Sequence, residues 1–134
     1  MTGMQDQSDV ETDWVSGAAL LTRRETIESV GLFDEDFFMY AEDVDWCFRM
    51  KQAGWHVVYF PAASILHHIG RSTRKVVFRM TYERHKSMWR FYRKHYSRGI
   101  VLLDVATWLG IAWRCGFMMV RNVLNRLFGS EGRA

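Results

Sequence analysis

Phe33-Asp34-Glu35-Asp36-Phe37-Phe38-Met39-Tyr40-Ala41-Glu42-Asp43-Val44-Asp45-Trp46 sets six carboxylates among five aromatic rings within fourteen residues. Carboxylates beside aromatic walls suggest a cleft. After Tyr40 the spacing becomes helical, with Val44, Cys47, Phe48 and the stem of Lys51 on one side, and Gly54 sits where a helix of that length stops. Glu42, Asp43 and Asp45 therefore fall in a helix's first turn. Two readings compete for them. The positive end of the helix dipole and its free amides favour acids there by about 0.3–1 kcal/mol each. Alternatively, a carboxylate walled by Phe37, Phe38, Tyr40 and Trp46 serves as general base for a substrate hydroxyl. The pattern alone leaves both open.

Upstream, residues 14–21 form a short apolar run that suits a buried strand, and its internal Gly17 implies a close approach to the backbone by a ligand or another strand. Thr22-Arg23-Arg24-Glu25 reads as a capping box opening a two-turn helix that Gly31 closes. Residues 1–13, with Asp6, Asp9, Glu11 and Asp13 and almost no apolar content, read as an acidic lead-in without fixed structure or secretory signal. Downstream, residues 55–60 have strand composition ended by Pro61, residues 64–68 read as another short strand, and Gly70-Arg71-Ser72 as a turn. Cys47 and Cys115, far apart and inside helical stretches, read as buried thiols of a reducing compartment.

From Lys75 to about Tyr96 the spacing predicts a long basic helix, and after Gly99 a second helix runs from about Ile100 to Phe128. Asp104, Thr107, Arg114, Arg121 and Asn125 fall near one face of the latter, with apolar side chains filling a wide arc. Charge is divided sharply. Residues 1–70 carry four basic and twelve acidic side chains (net −8), while residues 71–134 carry fourteen basic and three acidic (net +11). An anionic partner for the second half follows, a membrane surface or nucleic acid. The apolar tail suits lipid better. Spanning would place Asp104 and Arg114 inside the bilayer at about 2.5–3.5 kcal/mol each, whereas a helix in the headgroup layer keeps both charges wet. Packing against another protein domain is the competing fate.

Trp14-Val15-Ser16-Gly17-Ala18, the stretch from Val30 to Trp46, Gly54-Trp55, Tyr59-Phe60-Pro61 and His67-His68-Ile69-Gly70-Arg71-Ser72 occur in that order. As an ordered set they resemble the C-terminal half of family-2 glycosyltransferases, particularly bacterial rhamnosyltransferase-like and galactofuranosyltransferase-like members, over about residues 13–96. The resemblance implies an α/β architecture: the C-terminal portion of a nucleotide-diphospho-sugar transferase fold, with few strands plus helices, followed by two long helices. The expected division is a lead-in (1–13), an acceptor and catalytic-base half (14–74) and a basic, amphipathic helical tail (75–134).

It also implies chemistry. Asp43 corresponds to the family's general base in an inverting displacement, taking the proton from a glycan or lipid-linked acceptor as it attacks a nucleotide-sugar donor. Glu42 and Asp45 would hold acceptor hydroxyls or orient the base, and Trp14 and Trp46 would stack on a sugar face or sit in the core. Gly17, Arg71 and Ser72 would contact donor phosphate. His67, with His68 as neighbour and competitor, matches a histidine that completes a divalent Mg²⁺ or Mn²⁺ site in some members. The family's nucleotide-binding half and its Asp-x-Asp motif would precede Trp14. The expectation is therefore a truncated or split transferase, inactive alone, whose metal ligands come mostly from that half or from a separate polypeptide. It would be peripheral at the cytoplasmic, inner face of the cell membrane. The rival reading is a non-catalytic membrane-surface or partner-binding module. Nucleic-acid binding by residues 71–98 ranks behind both.

Overall fold

Helix starts, glycine stops and one short ladder organise the chain in the computed structural model, which describes residues 9–67 and 76–128. The elements in order are β1 (Val10–Glu11), α1 (Arg24–Val30), α2 (Glu42–Gln52), β2 (Val58–Tyr59), α3 (Val77–His95) and α4 (Val101–Phe128). They divide into two units. One holds β1, α1, α2 and β2; the other holds residues 37–41 with α3 and α4.

In the first unit Trp46, Cys47, Met50 and Val57 form the core, and Val15, Leu20, Ile27, Val30 and Trp55 pack against it half-buried. Burying side chains of this size contributes about 1.5–3 kcal/mol each. The buried stripe of α2 is thus Trp46, Cys47 and Met50, rotated from the Val44–Phe48 side that the spacing suggests. Gly54 stops α2 as expected, through a Schellman pair: its N–H donates to the Lys51 carbonyl (3.0 Å) and that of Trp55 to Met50 (3.0 Å). The turn needs the positive φ of 86° that glycine adopts without penalty.

Several local expectations are corrected. The lead-in is not without structure in its described part. β1 pairs antiparallel with β2, Val10 opposite Tyr59 and Glu11 opposite Val58. The Thr12 N–H extends the pairing to the Val57 carbonyl (2.9 Å), and the Lys51 ammonium meets the Asp13 carboxylate at 2.7 Å. That hydrogen bond holds the Asp13 carboxyl below its ordinary range and raises Lys51 above its own. Residues 14–21 are not a strand. Val15 and Leu20 dip into the core, while the backbone between them turns, with Ala19 N–H donating to the Ser16 carbonyl (3.4 Å) and Ala18 N–H to Ser16 Oγ (3.3 Å). Those amides have found local acceptors and are lost to a ladder.

The capping box does not form. α1 starts one residue late for it, with Arg23 at the N-cap and no side-chain cap, so Glu25 is misplaced by one position and Thr22 Oγ1 is buried without a hydrogen-bond partner among the described residues. Gly31 does close the helix, its N–H donating to the Ile27 carbonyl (2.8 Å). The strand over 55–60 shrinks to two residues because β1 offers only a two-residue partner, and residues 64–67 are not a strand. His68 and the predicted turn at 70–72 lie outside the described residues.

The second unit is an antiparallel α3/α4 hairpin. Gly99 (φ 75°) lies between the helices, close to the predicted bounds of both. At one end Asn122 Nδ2 donates to Thr81 Oγ1 (3.0 Å). At the other, Asp104 accepts from Tyr92 Oη (2.9 Å), Ser97 Oγ (2.8 Å) and Arg93 Nη1 (3.2 Å). Asp104 and Thr107 therefore belong with half-buried Ile111, Cys115 and Asn122 on the α3 side of α4, and Arg114, though exposed, still donates to Met88 Sδ of α3 (3.4 Å), while Arg121 and Asn125 are exposed. The predicted single polar face is split. A fully donor-satisfied carboxylate is cheaper against a neighbouring helix than a periodicity count allows.

Residues 37–41 ride on α3. Ser87 Oγ donates to the Met39 carbonyl (2.9 Å), and the guanidinium groups of Arg84 and Arg79 lie 4.6 Å and 5.0 Å from the ring centroids of Tyr40 and Phe38. The Lys94 ammonium is 5.7 Å from Phe37. Rings that the sequence suggests as cleft walls thus pack under cations of the basic helix, at about 0.5–1 kcal/mol for each exposed pair.

Candidate active site

Asp43 enters its position because α2 begins at Glu42, immediately after Tyr40 and Ala41 turn with φ of 68° and 65°. Two consecutive non-glycine residues in the left-handed region cost about 1–2 kcal/mol apiece. Strain of this kind persists where surroundings over-determine it, commonly beside functional residues. Asp43 is half-buried, and one backbone amide addresses each of its oxygens. The Gly17 N–H donates to Oδ2 (2.9 Å) and the Val44 N–H to Oδ1 (2.9 Å). Each oxygen keeps a lone pair, so the group is oriented yet remains a proton acceptor.

Gly17 is approached closely, as its position in an apolar run implies, but by this carboxylate rather than by a strand. A Cβ at position 17 would stand 3.5 Å from Asp43 Cβ, ordinary van der Waals contact. Glu42, adjacent in the chain, is half-buried, and its Oε2 is buried with no hydrogen-bond partner among the described residues. An orphaned acceptor of that kind is costly unless something donates to it.

Asp45 is a correction. It is completely buried, its Oδ2 accepting from Arg49 Nε at 2.9 Å. The Arg49 guanidinium continues to the carbonyls of Val30 and Leu32, so this acid anchors the end of α1 and the loop beyond it and cannot touch a sugar. Trp46 is a second correction: it is 6% exposed, its indole N–H donates to the Gly31 carbonyl (2.7 Å), and its ring lies 4.5 Å from Phe33. Both belong to the core. Trp14, at 49% exposure, keeps an open face. Cys47, one turn beyond Asp43, is sealed. Burial pushes its thiol up, with the Asp43 charge adding to it against a Val15 backbone hydrogen bond, so it stays a neutral core group.

His67 is exposed, and Arg71 and Ser72 lie outside the described residues. Among the described residues no three His, Cys, Asp or Glu side chains come together to hold a metal ion. The described residues therefore form no self-contained Mg²⁺ or Mn²⁺ site. Sequence reasoning missed the Arg49 fork; a lone arginine one turn after an acid was its only trace.

Comparison with known proteins gives the family. Residues 1–101 match the model described as glycosyltransferase like family 2, and the chain belongs to that family. It is 41% identical over 132 residues to the N-acetylglucosaminyl-diphospho-decaprenol L-rhamnosyltransferase of Mycobacterium tuberculosis, in strains H37Rv and CDC 1551 alike. That alignment covers 90% of this chain and 39% of the relative. It is 37% identical over 67 residues to the rhamnosyltransferase WbbL of Escherichia coli K12, covering 50% of this chain and 25% of that one. No solved structure matches the chain.

Proposed function

We propose that this chain is the acceptor-activating part of an inverting glycosyltransferase, the C-terminal portion of a nucleotide-diphospho-sugar transferase fold, with Asp43 as general base. The observation that carries the reading is the Asp43 carboxylate: half-buried and fixed by the amides of Gly17 and Val44 at the start of α2.

A sugar hydroxyl is a poor nucleophile. As its oxygen bonds to the donor's anomeric carbon, its proton passes to Asp43 and the bond to the nucleoside diphosphate breaks, leaving that group with the electron pair. One displacement inverts the anomeric centre. A positioned carboxylate supplies about 10²–10⁴ of rate in such a step. Glu42 accepts a second acceptor hydroxyl, and Trp14 offers a ring face to the sugar. Following the relatives' names, the donor is a nucleotide-activated L-rhamnose and the acceptor a polyprenyl-diphosphate-linked N-acetylglucosamine of cell-wall synthesis. The reaction then belongs at a membrane surface, on its cytoplasmic face. Residues 14–74 serve the acceptor, and residues 75–134 serve attachment.

The test is Asp43→Asn in a transfer-competent preparation, with product followed by mass spectrometry. The expected result is a kcat lowered by about 10²–10⁴ with KM and circular dichroism unchanged. Unchanged turnover would remove the base and favour a module that only binds, a reading whose support is the exposed apolar face of α4.

A further inference from the structure

α4 is 28 residues long, long and apolar enough to cross a bilayer, and none of its residues is buried. At 3.6 residues per turn its four charged residues, Asp104, Arg114, Arg121 and Arg126, fall within about 140° of its circumference. The remaining sector, of about 220°, carries no charge from end to end. Leu102, Leu109, Trp113, Phe117, Val120 and Leu124 follow one another down its middle, between 47% and 80% exposed. That is far more contiguous apolar surface than a water-facing helix tolerates. The family model matches residues 1–101 and so ends where α4 begins.

We infer that this face of α4 lies in the headgroup layer of an anionic phospholipid bilayer, parallel to its plane. Charge selects the occupant. Arg121 and Arg126 border the apolar sector, and exposed Arg98 stands at the elbow, in a half of the chain with net charge +11. Guanidinium groups at the rim of an apolar face reach lipid phosphate while their stems stay in the apolar layer.

The hairpin selects the orientation. α3 is clasped to the opposite side of α4 from Asn122 to Asp104, roughly 27 Å of helix at 1.5 Å per residue. α3 exposes Arg79, Arg84, Lys86, Arg93 and Lys94. Crossing the bilayer would drag these cations into hydrocarbon, whereas lying in the plane leaves α3 above the membrane in water. Asp104 needs no water in either case, since Tyr92, Arg93 and Ser97 satisfy it. This inference rests on the second unit alone and stands or falls independently of Asp43.

Purified full chain is mixed with vesicles of phosphatidylglycerol and phosphatidylcholine, or of phosphatidylcholine alone, and sedimented at low salt. Binding to the anionic vesicles is expected, at least tenfold weaker to the neutral ones and at least tenfold weaker for Phe117→Glu. Phe117 is 61% exposed, so the variant folds, which circular dichroism checks. Shallow brominated lipids should quench Trp113 more than deep ones, and alkaline carbonate should strip the protein from vesicles. Absence of binding at low salt overturns the inference. So does carbonate resistance, which marks a spanning helix, or a Phe117→Glu effect confined to self-association, which marks a second copy of the chain as the occupant.

Discussion

The backbone N–H of Gly17 donates to Asp43 Oδ2 at 2.9 Å across twenty-six residues of sequence, tying a turn of the N-terminal segment to the first turn of α2. The two residues are separate features of the sequence. Together they make one oriented carboxylate.

If Asp43 is the base, that amide is a positioning donor, and the backbone test is proline. Gly17→Pro removes the N–H, while Gly17→Ala keeps it and adds a methyl group in ordinary contact. A hydrogen bond to a charged group contributes about 1.5–3 kcal/mol, hence a fall in kcat of about 10–100-fold for the proline variant, with KM unchanged and the alanine variant near wild type. Equal losses in both variants, or a change in KM alone, would show that the turn merely shapes the loop.

Asp45 and Trp46, both expected from sequence at the acceptor, should behave as core. Arg49→Met leaves the Asp45 carboxylate buried without its charged partner and is expected to cost about 3–5 kcal/mol in urea unfolding, with turnover per folded molecule intact. Trp46→Ala should cost a similar 3–5 kcal/mol. Trp14→Ala should cost under about 0.5 kcal/mol and show itself, if the ring faces a sugar, as a raised KM.

Asp104 makes the hairpin sensitive to acid. Hydrogen bonds from Ser97 and Tyr92, with the Arg93 charge, hold its carboxyl below the ordinary value of 3.8. A depressed folded value means that its contribution is complete above the unfolded pKa and is lost as pH falls through the folded one. The melting temperature should therefore drop below about pH 4, and Asp104→Asn should flatten that part of the curve relative to wild type. Parallel curves for the two proteins would contradict the clasp. Asp13, lowered by Lys51, adds a second acid-sensitive contact that the Asp104 comparison leaves constant.

The amino-acid sequence by itself determined what repeats or punctuates. The helical spacings of α2, α3 and α4, the stops at Gly31, Gly54 and Gly99, the charge division and the ordered motifs of the family all lie within neighbouring residues, where propensity and periodicity act. Tertiary structure decided which of three similar first-turn acids points where. Glu42, Asp43 and Asp45 carry the same local signal, and only the fold sends Asp45 to Arg49 in the interior and Asp43 to the amide of Gly17. It also decided that residues 14–21 turn instead of pairing, that Val10–Glu11 pairs instead of trailing, and that Asp104 faces α3. The physical reason is common to all of these. A carboxylate or an amide is satisfied by whichever partner the folded chain brings within 3 Å, and that partner can be twenty-six residues away.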